Sequence, residues 1–434
     1  MIMRRLTLAM LTLVLVLAGC GARTSETRDA NIVVTGWIAG PDSFNPYVAV
    51  GSAARMIADQ IYSPLIDLGP DMLPRWQTSL AYKVDITDGG KRYLLHLRRN
   101  ARWLDDAPLD AKDVVFTIQL QDNPLLTNGN SSDFALMTSV RALAKYTVEL
   151  KLSKPSPPFL ENALATDTLP LPQHILEKYP PLSEAEAKFV NTDVQFNQHP
   201  VTSGPWRIAR NIPDSYIILE RNPSYWGPEP YLPRIAFRVY PQQDSLYAAV
   251  DAGEIDLTDI PPNLWRVHER LRGDHKFINW PWNVTFLLLP NYHDPAIAWM
   301  HDPKIKQAMM YAIDRQFIIS GIMSGQADIL NGPVPSFSPY YDPHVHKYGY
   351  DPAKARAMLD QAGWHMRGAF RVKDGKTMRV TLKTGGATDA VASNIAELLQ
   401  ANLKAVGIDC VLENEEIQTF FEDCLLYTSP SPRD

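Results

Sequence analysis

Apolar positions recur along the chain in two periods, and together they predict a mixed α/β fold. Alternation at Tyr93, Leu95 and Leu97 predicts a strand with one buried face, whereas the near-continuous apolar run 284–289 predicts a buried strand. Apolar residues at helical spacing over 391–406 predict an amphipathic helix. The further predicted strands are 31–38, 146–152 and 235–240, and the further predicted helices are 52–62, 244–252 and the segments that begin at Asp110, Asp302 and Asp351.

A β-hairpin is predicted within residues 199–227, where two apolar segments, 206–209 and 216–220, flank a polar connection. Gly204 and Pro205 precede the first segment and predict a bend, because glycine is free to adopt unusual φ angles and proline fixes its own. The pairing is predicted to end at the Arg-Asn-Pro string that follows, since proline has no N–H to donate to a ladder.

Residues 1–20 predict a lipoprotein signal peptide. Two arginines precede the apolar run 6–18, which is shorter than the roughly 20 residues needed to span a bilayer. The run ends in the string L-A-G-C, which resembles a lipobox, and Cys20 would then be the lipidated first residue of the mature protein. An ordinary signal peptide with an incidental cysteine stays open. Polar residues 21–30 lack periodicity and predict a flexible tether.

Composition bounds the class of protein. At 434 residues, 45% of them hydrophobic, the chain is long enough for two or three domains with sizeable cores. The net charge is −6, and loss of residues 1–19 would remove two arginines and no acid, giving −8. This balance is not the basic footprint of a nucleic-acid-binding protein. Beyond Cys20 only Cys410 and Cys424 remain, too few for a disulfide framework.

The common motifs of catalysis and metal binding are missing from the sequence. It contains no G-x-S-x-G elbow, H-E-x-x-H, Walker loop or C-x-x-C, so no catalytic residue is predicted. His344 and His346 form the one tight histidine pair and could bind a metal, but no nearby carboxylate or cysteine string completes a site. Solvated loop histidines are the favoured interpretation. The acidic positions Asp85, Asp88, Asp105 and Asp106 could form an acid–base pair, although turns favour aspartate for local hydrogen bonding.

Six short strings, in order along the chain, resemble solute-binding protein family 5, the oligopeptide- and dipeptide-binding lipoproteins of bacterial ABC importers. The strings are D-S-F-N-P-Y from Asp42, D-G-G-K-R-Y from Asp88, T-S-G-P-W to R-N-P-S-Y-W-G over 202–227, G-E-I-D from Gly253, M-M-Y-A-I-D-R from Met309, and the segment from Y-D-P to A-G-W over 350–364. Asp106-Ala107 departs from the family's D-G, and we expect an altered turn there. Each string alone is weak evidence, but their shared order is specific.

The resemblance implies a periplasmic-binding-protein-like α/β fold of class II, a Venus flytrap with two main mixed α/β lobes and a smaller inserted lobe. We expect lobe I to combine residues 31–77 with 198–280, the inserted lobe II to cover 78–197, and lobe III to cover 281–423. The family match stops near residue 423, so lobe III is expected to be incomplete and residues 424–434 to be a non-native tail.

The resemblance further implies the substrate-binding lipoprotein of an ABC-type peptide importer, located in the periplasm or on the outer cell surface. Solute would be captured between the lobes and delivered to a permease with its ATPase, by a monomer that needs no cofactor. The residues expected to line the cleft are Gly40, Pro41, Ile260, Pro261, Trp282 and Asn283. Trp37, Trp265 and Trp280 fall near predicted strand ends and are either cleft or core residues.

Other functions stay open on the sequence alone. The same fold could bind a nickel complex, haem or a sugar. A lipid-anchored secreted hydrolase is possible in principle, although the missing nucleophile motif argues against it. A lipoprotein that senses a ligand and signals to a membrane partner would have the same sequence features as a transport protein.

Overall fold

The structure is a computed structural model of the chain. It describes residues 31–420, except 50, 128, 130, 167, 272–274, 279–284, 337, 339–340, 386–389 and 416–419. The predicted signal peptide with Cys20, the tether, the tail, and the predicted cleft residues Trp282 and Asn283 therefore lie outside the described residues. The described chain divides into two compact units. The first contains the residues up to Asp67 together with Pro74–Thr258, and the second contains Leu68–Leu73 and the residues from Asp259 onward.

The first unit contains two sheets and seven α-helices among its described residues. Its strands are β1 (Ile32–Trp37), β2 (Ala81–Thr87), β3 (Arg92–Leu97), β4 (Met137–Ala144), β5 (Thr147–Leu152), β6 (Trp206–Ile212), β7 (Tyr216–Arg221), β8 (Arg234–Val239) and β9 (Leu257–Thr258). Its helices are α1 (Ser52–Ile61), α2 (Ala111–Gln121), α3 (Ser131–Phe134), α4 (Gln173–Leu176), α5 (Glu184–Thr192), α6 (Val194–Gln198) and α7 (Gln243–Asp251). A 3₁₀ turn (Asp88–Gly90) and a π-helical segment (Leu160–Thr166) complete the list.

The five-stranded sheet has the order β6-β7-β8-β1-β9. Strands β6, β7 and β8 pair antiparallel, as the hairpin pattern predicts, whereas β1 pairs parallel with both β8 and β9. Helix α7 connects β8 to β9 and packs against β1 at Gly36, where an added Cβ would lie 2.3 Å from Leu246 Cδ1. Glycine at this position therefore lets the crossover helix pack closely on the sheet.

The four-stranded sheet has the order β2-β3-β5-β4 and is antiparallel throughout. Tyr93, Leu95 and Leu97 are buried on one face of β3, which confirms the predicted alternation. Asp110 is the N-cap of helix α2, and its side chain accepts a hydrogen bond from the Lys112 N–H, so the predicted N-cap is also confirmed.

The T-S-G-P string fastens the β6–β7 hairpin to the end of helix α1. The Gly204 N–H donates to Ile61 O at 2.7 Å, and a Cβ at Gly204 would lie 2.5 Å from the Ile61 carbonyl carbon. Asn222 of the R-N-P string donates its side-chain amide to Gly204 O, and Trp226 donates Nε1–H to Ser63 Oγ at 2.9 Å. Within the described contacts, the most distinctive strings of the sequence thus have a structural role.

The second unit contains four α-helices among its described residues, with two small sheets. The helices are α8 (Pro303–Ala312), α9 (Arg315–Phe317), α10 (Pro352–Gln361) and α11 (Ala390–Ala405); the strands are β10 (His365–Arg367), β11 (Phe370–Lys373), β12 (Lys376–Thr377), β13 (Arg379–Thr384) and β14 (Asp409–Asn414). Two 3₁₀ segments (Pro262–Glu269, Pro295–His301) precede α8, and a π-helical turn (Ile318–Ile322) follows α9. Strands β10, β11 and β12 pair antiparallel, and β13 pairs parallel with β14.

The core of the second unit lies between its helices and the β13–β14 pair. It includes Ile305 and Met309 of α8, Leu359 of α10 and Leu403 of α11. Asp302 and Asp351 cap α8 and α10 as predicted, each followed by proline at the first helical position. None of the described helices has the length and apolarity that crossing a membrane requires.

The prediction of a buried strand at 284–289 is wrong for the described residues 285–289. These residues form no strand, and four consecutive large side chains are exposed: Phe286 (51%), Leu287 (65%), Leu288 (41%) and Leu289 (72%). An apolar run predicts burial only where another element covers it, and no described strand pairs with this segment.

Candidate functional site

The carboxyl edge of β8, β1 and β9 is the candidate site in the first unit. Because these strands are parallel, the residues that follow them meet at one edge of the sheet, and ligands of open α/β sheets bind outside such edges. The Thr258 hydroxyl at the end of β9 donates to Gly36 O at 3.0 Å, and the Tyr240 N–H after β8 donates to Trp37 O at 2.6 Å. These hydrogen bonds fix the three strand ends relative to one another.

Gly40 and Pro41 follow β1 and are half-buried beside the end of β8. A Cβ at Gly40 would lie 3.6 Å from Val239 Cγ2 and 3.9 Å from Asp214 Oδ1, which is ordinary van der Waals distance. Close packing therefore does not require glycine here. Trp37 at the end of β1 is only 8% exposed, and its ring lies 4.5 Å from that of Phe237, so it is a core residue of this unit.

Ile260 and Pro261 belong to the second unit and lie two and three residues after β9. Both are half-buried, and Pro261 is the N-cap of the 3₁₀ segment Pro262–Glu269. Trp265 in that segment packs its ring edge-on to Phe277 at 5.9 Å. The predicted set of ligand residues is thus distributed over the first unit, the second unit and residues outside the described chain, and it stays a prediction.

Two polar residues next to the strand ends were missed by the sequence analysis. Tyr240 follows β8 directly; its hydroxyl is buried without a hydrogen-bond partner among the described residues, and burial raises its pKa. Asp259 follows β9 directly, and desolvation raises the pKa of its carboxyl. The position immediately after a parallel strand was the signal that could have identified both. The Tyr240 hydroxyl, which belongs to the first unit, can exchange hydrogen bonds with a polar solute.

Several of the aspartates and histidines considered as catalytic or metal-binding residues have neighbouring side chains that explain them structurally. Asp85 lies within 2.8 Å of His96 Nε2 and 2.7 Å of Lys83 Nζ, and Asp105 lies 2.8 Å from His174 Nε2. His346 Nε2 contacts the Tyr311 hydroxyl at 3.2 Å. No group of three histidine, cysteine, aspartate or glutamate residues converges as metal ligands within the described part of the chain.

The comparison with protein families covers most of the chain. Residues 75–424 match the model of bacterial extracellular solute-binding proteins, family 5 Middle. The chain belongs to solute-binding protein family 5. The resemblance of the six strings is therefore confirmed, and so are the α/β periplasmic-binding-protein-like fold and the substrate-binding role in ABC-type import that characterise this family. As a member of an extracellular solute-binding family, the chain is assigned to the extracytoplasmic side of the membrane.

Individual relatives of this family 5 protein bind different solutes. The oligopeptide-binding protein AppA of Bacillus subtilis (strain 168) is 29% identical over 430 residues, covering 94% of this chain and 76% of AppA. The nickel-binding periplasmic protein of Escherichia coli (strain K12) is 24% identical over 421 residues, covering 93% and 75%.

Solved structures of other proteins have a similar fold. The structure of AppA from Bacillus subtilis in complex with a nonapeptide has a TM-score of 0.69 at 28% identity and covers 90% of this chain and 76% of AppA. NikA from Brucella suis in complex with Fe(III)-EDTA has a TM-score of 0.72 at 24% identity, covering 93% of this chain and 80% of NikA, and at that identity it shows the fold alone.

Proposed function

We propose that this family 5 protein captures peptides for an ABC-type importer. The observation that carries the proposal is the similarity to AppA, which extends over 94% of the chain in sequence and includes a solved complex with a nonapeptide. The buried hydroxyl of Tyr240, beside the end of β8, has no hydrogen-bond partner among the described residues and supports a polar solute. A peptide presents backbone N–H and C=O groups along its length, so hydrogen bonds to such groups supply affinity while roomy pockets tolerate varied side chains.

Capture requires that the bound solute favours one conformation of the protein. A ligand that contacts two lobes binds the closed form more tightly, and it shifts the equilibrium by no more than that difference in affinity. The closed form would then deliver its peptide to a permease and ATPase. We further propose that Cys20 carries a lipid that holds the chain at the membrane, that the protein works as a monomer, and that it performs no chemical reaction on its ligand.

A metal complex is the second candidate ligand, favoured by the similarity to the nickel-binding periplasmic protein. The described residues hold no cluster of metal-ligating side chains. A metal would then arrive wrapped in a small chelator, which the protein would recognise through the chelator's own polar groups.

The whole chain carrying Cys20→Ser tests the two candidates directly. Calorimetric titration with defined short peptides, and separately with nickel–histidine, measures each affinity, and native mass spectrometry identifies any solute retained on purification. We expect peptides to bind and the nickel complex to fail. Binding of the nickel complex with no response to peptides would overturn the peptide assignment.

Trp282 tests the predicted cleft. Loss of a buried aromatic anchor costs on the order of 2 kcal/mol, so Trp282→Ala is expected to weaken peptide binding about 30-fold while the melting temperature stays unchanged. Trp37→Phe is the matched control because Trp37 lies in the core; it should lower the melting temperature without weakening peptide binding. Full affinity in Trp282→Ala would remove this residue from the site.

A further inference from the structure

One face of the four-stranded sheet carries an excess of positive charge. In an antiparallel sheet, paired residues point to the same side, and the register pairs Lys83 with His96, Arg92 with Lys151, and Arg141 with Glu149. The opposite side of β3 and β5 carries the buried apolar residues of this region. We call this side the cationic face; it consists of Lys83, Asp85, Arg92, His96, Arg141, Glu149 and Lys151.

The two acidic side chains of the cationic face, Asp85 and Glu149, form ion pairs with basic side chains of the same face. Glu149 accepts from Arg92 Nε and from Arg141 Nη2, each at 2.7 Å, with Lys151 Nζ at 3.9 Å. Asp85 pairs with Lys83 at 2.7 Å. The cationic face thus has four lysine and arginine side chains and two carboxylates, on a chain whose net charge is −6.

Differences in solvent exposure increase the excess of positive charge at the protein surface. The Glu149 side chain is only 2% exposed, because the guanidinium groups cover it, whereas Arg141 and Lys83 are each 59% exposed and Lys151 is 46% exposed. Tyr82 is half-exposed beside the cationic face, and the centroid of its ring lies 6.2 Å from that of His96. Lysine and arginine side chains with an adjacent tyrosine are typical of surfaces that meet phospholipid headgroups.

We propose that the cationic face docks on the anionic phospholipid headgroups of the membrane beside which this family of proteins works. Charge complementarity selects this partner: the face is positive, the rest of the chain is acidic, and a membrane with anionic lipids presents a continuous negative surface. Docking through one face orients the protein on the bilayer, whichever solute it carries. The contact is electrostatic, so it is weak, reversible and sensitive to salt.

Vesicle flotation tests the proposal without a lipid on the protein. The whole chain with Cys20→Ser is mixed with vesicles of phosphatidylcholine, with or without phosphatidylglycerol, at low and high salt. We expect the protein to float with the phosphatidylglycerol vesicles at low salt only. The double variant Arg141→Gln/Lys151→Gln is expected to lower the bound fraction about fivefold or more, since each lost charge weakens binding several-fold. Arg92 is kept in this variant so that Glu149 retains a partner.

The matched control removes the same charge from the second unit. Arg367 and Lys376 are exposed on the β10–β12 sheet, and Arg367→Gln/Lys376→Gln should leave flotation unchanged. Equal loss in both double variants would mean that only net charge matters, and it would overturn the proposal. Absence of flotation with phosphatidylglycerol would do the same, as would binding to soluble polyglutamate in preference to the vesicles, because the partner would then be an acidic polypeptide.

Discussion

Gly204 packs so closely against the end of helix α1 that a side chain would not fit there. An added Cβ would meet backbone atoms of Ile61 and Gln60 at 2.5–2.7 Å, and backbone cannot move aside as the end of a flexible side chain can. We therefore expect Gly204→Ala to lower the free energy of unfolding by about 3 kcal/mol, as overpacking at a close contact does. Gly40→Ala is the control, because its Cβ would meet only ordinary contacts from 3.6 Å. Equal stability of the two variants in urea titrations would refute the expectation.

Asp113 gives the protein a specific pH dependence. Its carboxyl accepts hydrogen bonds from the Trp103 indole and from the Asp110 and Gln173 N–H groups, but burial dominates and raises its pKa from 3.8 to about 6. The folded state then binds the proton more tightly than the unfolded state, so this group stabilises the fold below pH ~4 and loses that contribution as pH rises to ~6.

The free energy of unfolding of Asp113→Asn against pH, compared with that of the unsubstituted chain, isolates this effect. The advantage of the unsubstituted chain should fall by about 3 kcal/mol between pH ~4 and ~6 and stay constant above. An advantage that grows with pH would show instead that the three N–H donors stabilise the ionised carboxylate.

At the scale of elements, Arg371 of β11 joins the ends of two helices. It is 1% exposed, and its guanidinium donates to Val406 O after α11, to Arg356 O within α10, to Trp364 O, and to the Asp360 carboxylate at 2.6 Å. Val406 follows the last residue of α11 and Trp364 lies three residues beyond α10, so one buried guanidinium supplies hydrogen bonds to backbone carbonyls beyond the ends of both helices.

Arg371→Met should therefore lower the free energy of unfolding by about 3 kcal/mol or more, since it leaves buried carbonyls unsatisfied. Lys373→Met on the same strand is the matched control: Lys373 is exposed and its Nζ donates to Ala362 O at 2.8 Å, so the cost should stay below about 1 kcal/mol. Chemical denaturation measures both, and a small loss in Arg371→Met would mean that water replaces the guanidinium.

The elements that sequence predicts well are those whose cause is local. Asp302 and Asp351 cap their helices because the capping partner lies two or three residues away, and the β6–β7 hairpin forms from adjacent segments. The run 284–289 was mispredicted because burial depends on an element distant in sequence. Arg371 was not singled out for the same reason: a charged residue in a hairpin is usually exposed, and its burial is decided by the ends of α10 and α11. Tyr240 and Asp259 became candidates only once the parallel pairing of β1 was known.

At the scale of the whole molecule, each unit has a buried core of its own. The first unit buries residues such as Ile57, Leu95 and Leu219, and the second buries those around Leu359 and Leu403. The polypeptide passes between the units at Asp67, Leu73 and Thr258, so neither unit is one continuous segment. Units with separate cores favour separate cooperative unfolding transitions, even though the polypeptide passes between the two units more than once.

We therefore expect differential scanning calorimetry of the ligand-free chain to resolve two unfolding transitions. Gly204→Ala should lower the midpoint of one and Arg371→Met that of the other, by several degrees each, because the two residues stabilise different units. The double variant should show the sum of the two shifts, since distant sites without shared partners act additively. A ligand that contacts both units would raise both midpoints and bring them together, because it links the folding of one to that of the other. If either single variant shifted both transitions equally without ligand, the chain would unfold as one cooperative body and the division into independently stable units would be wrong.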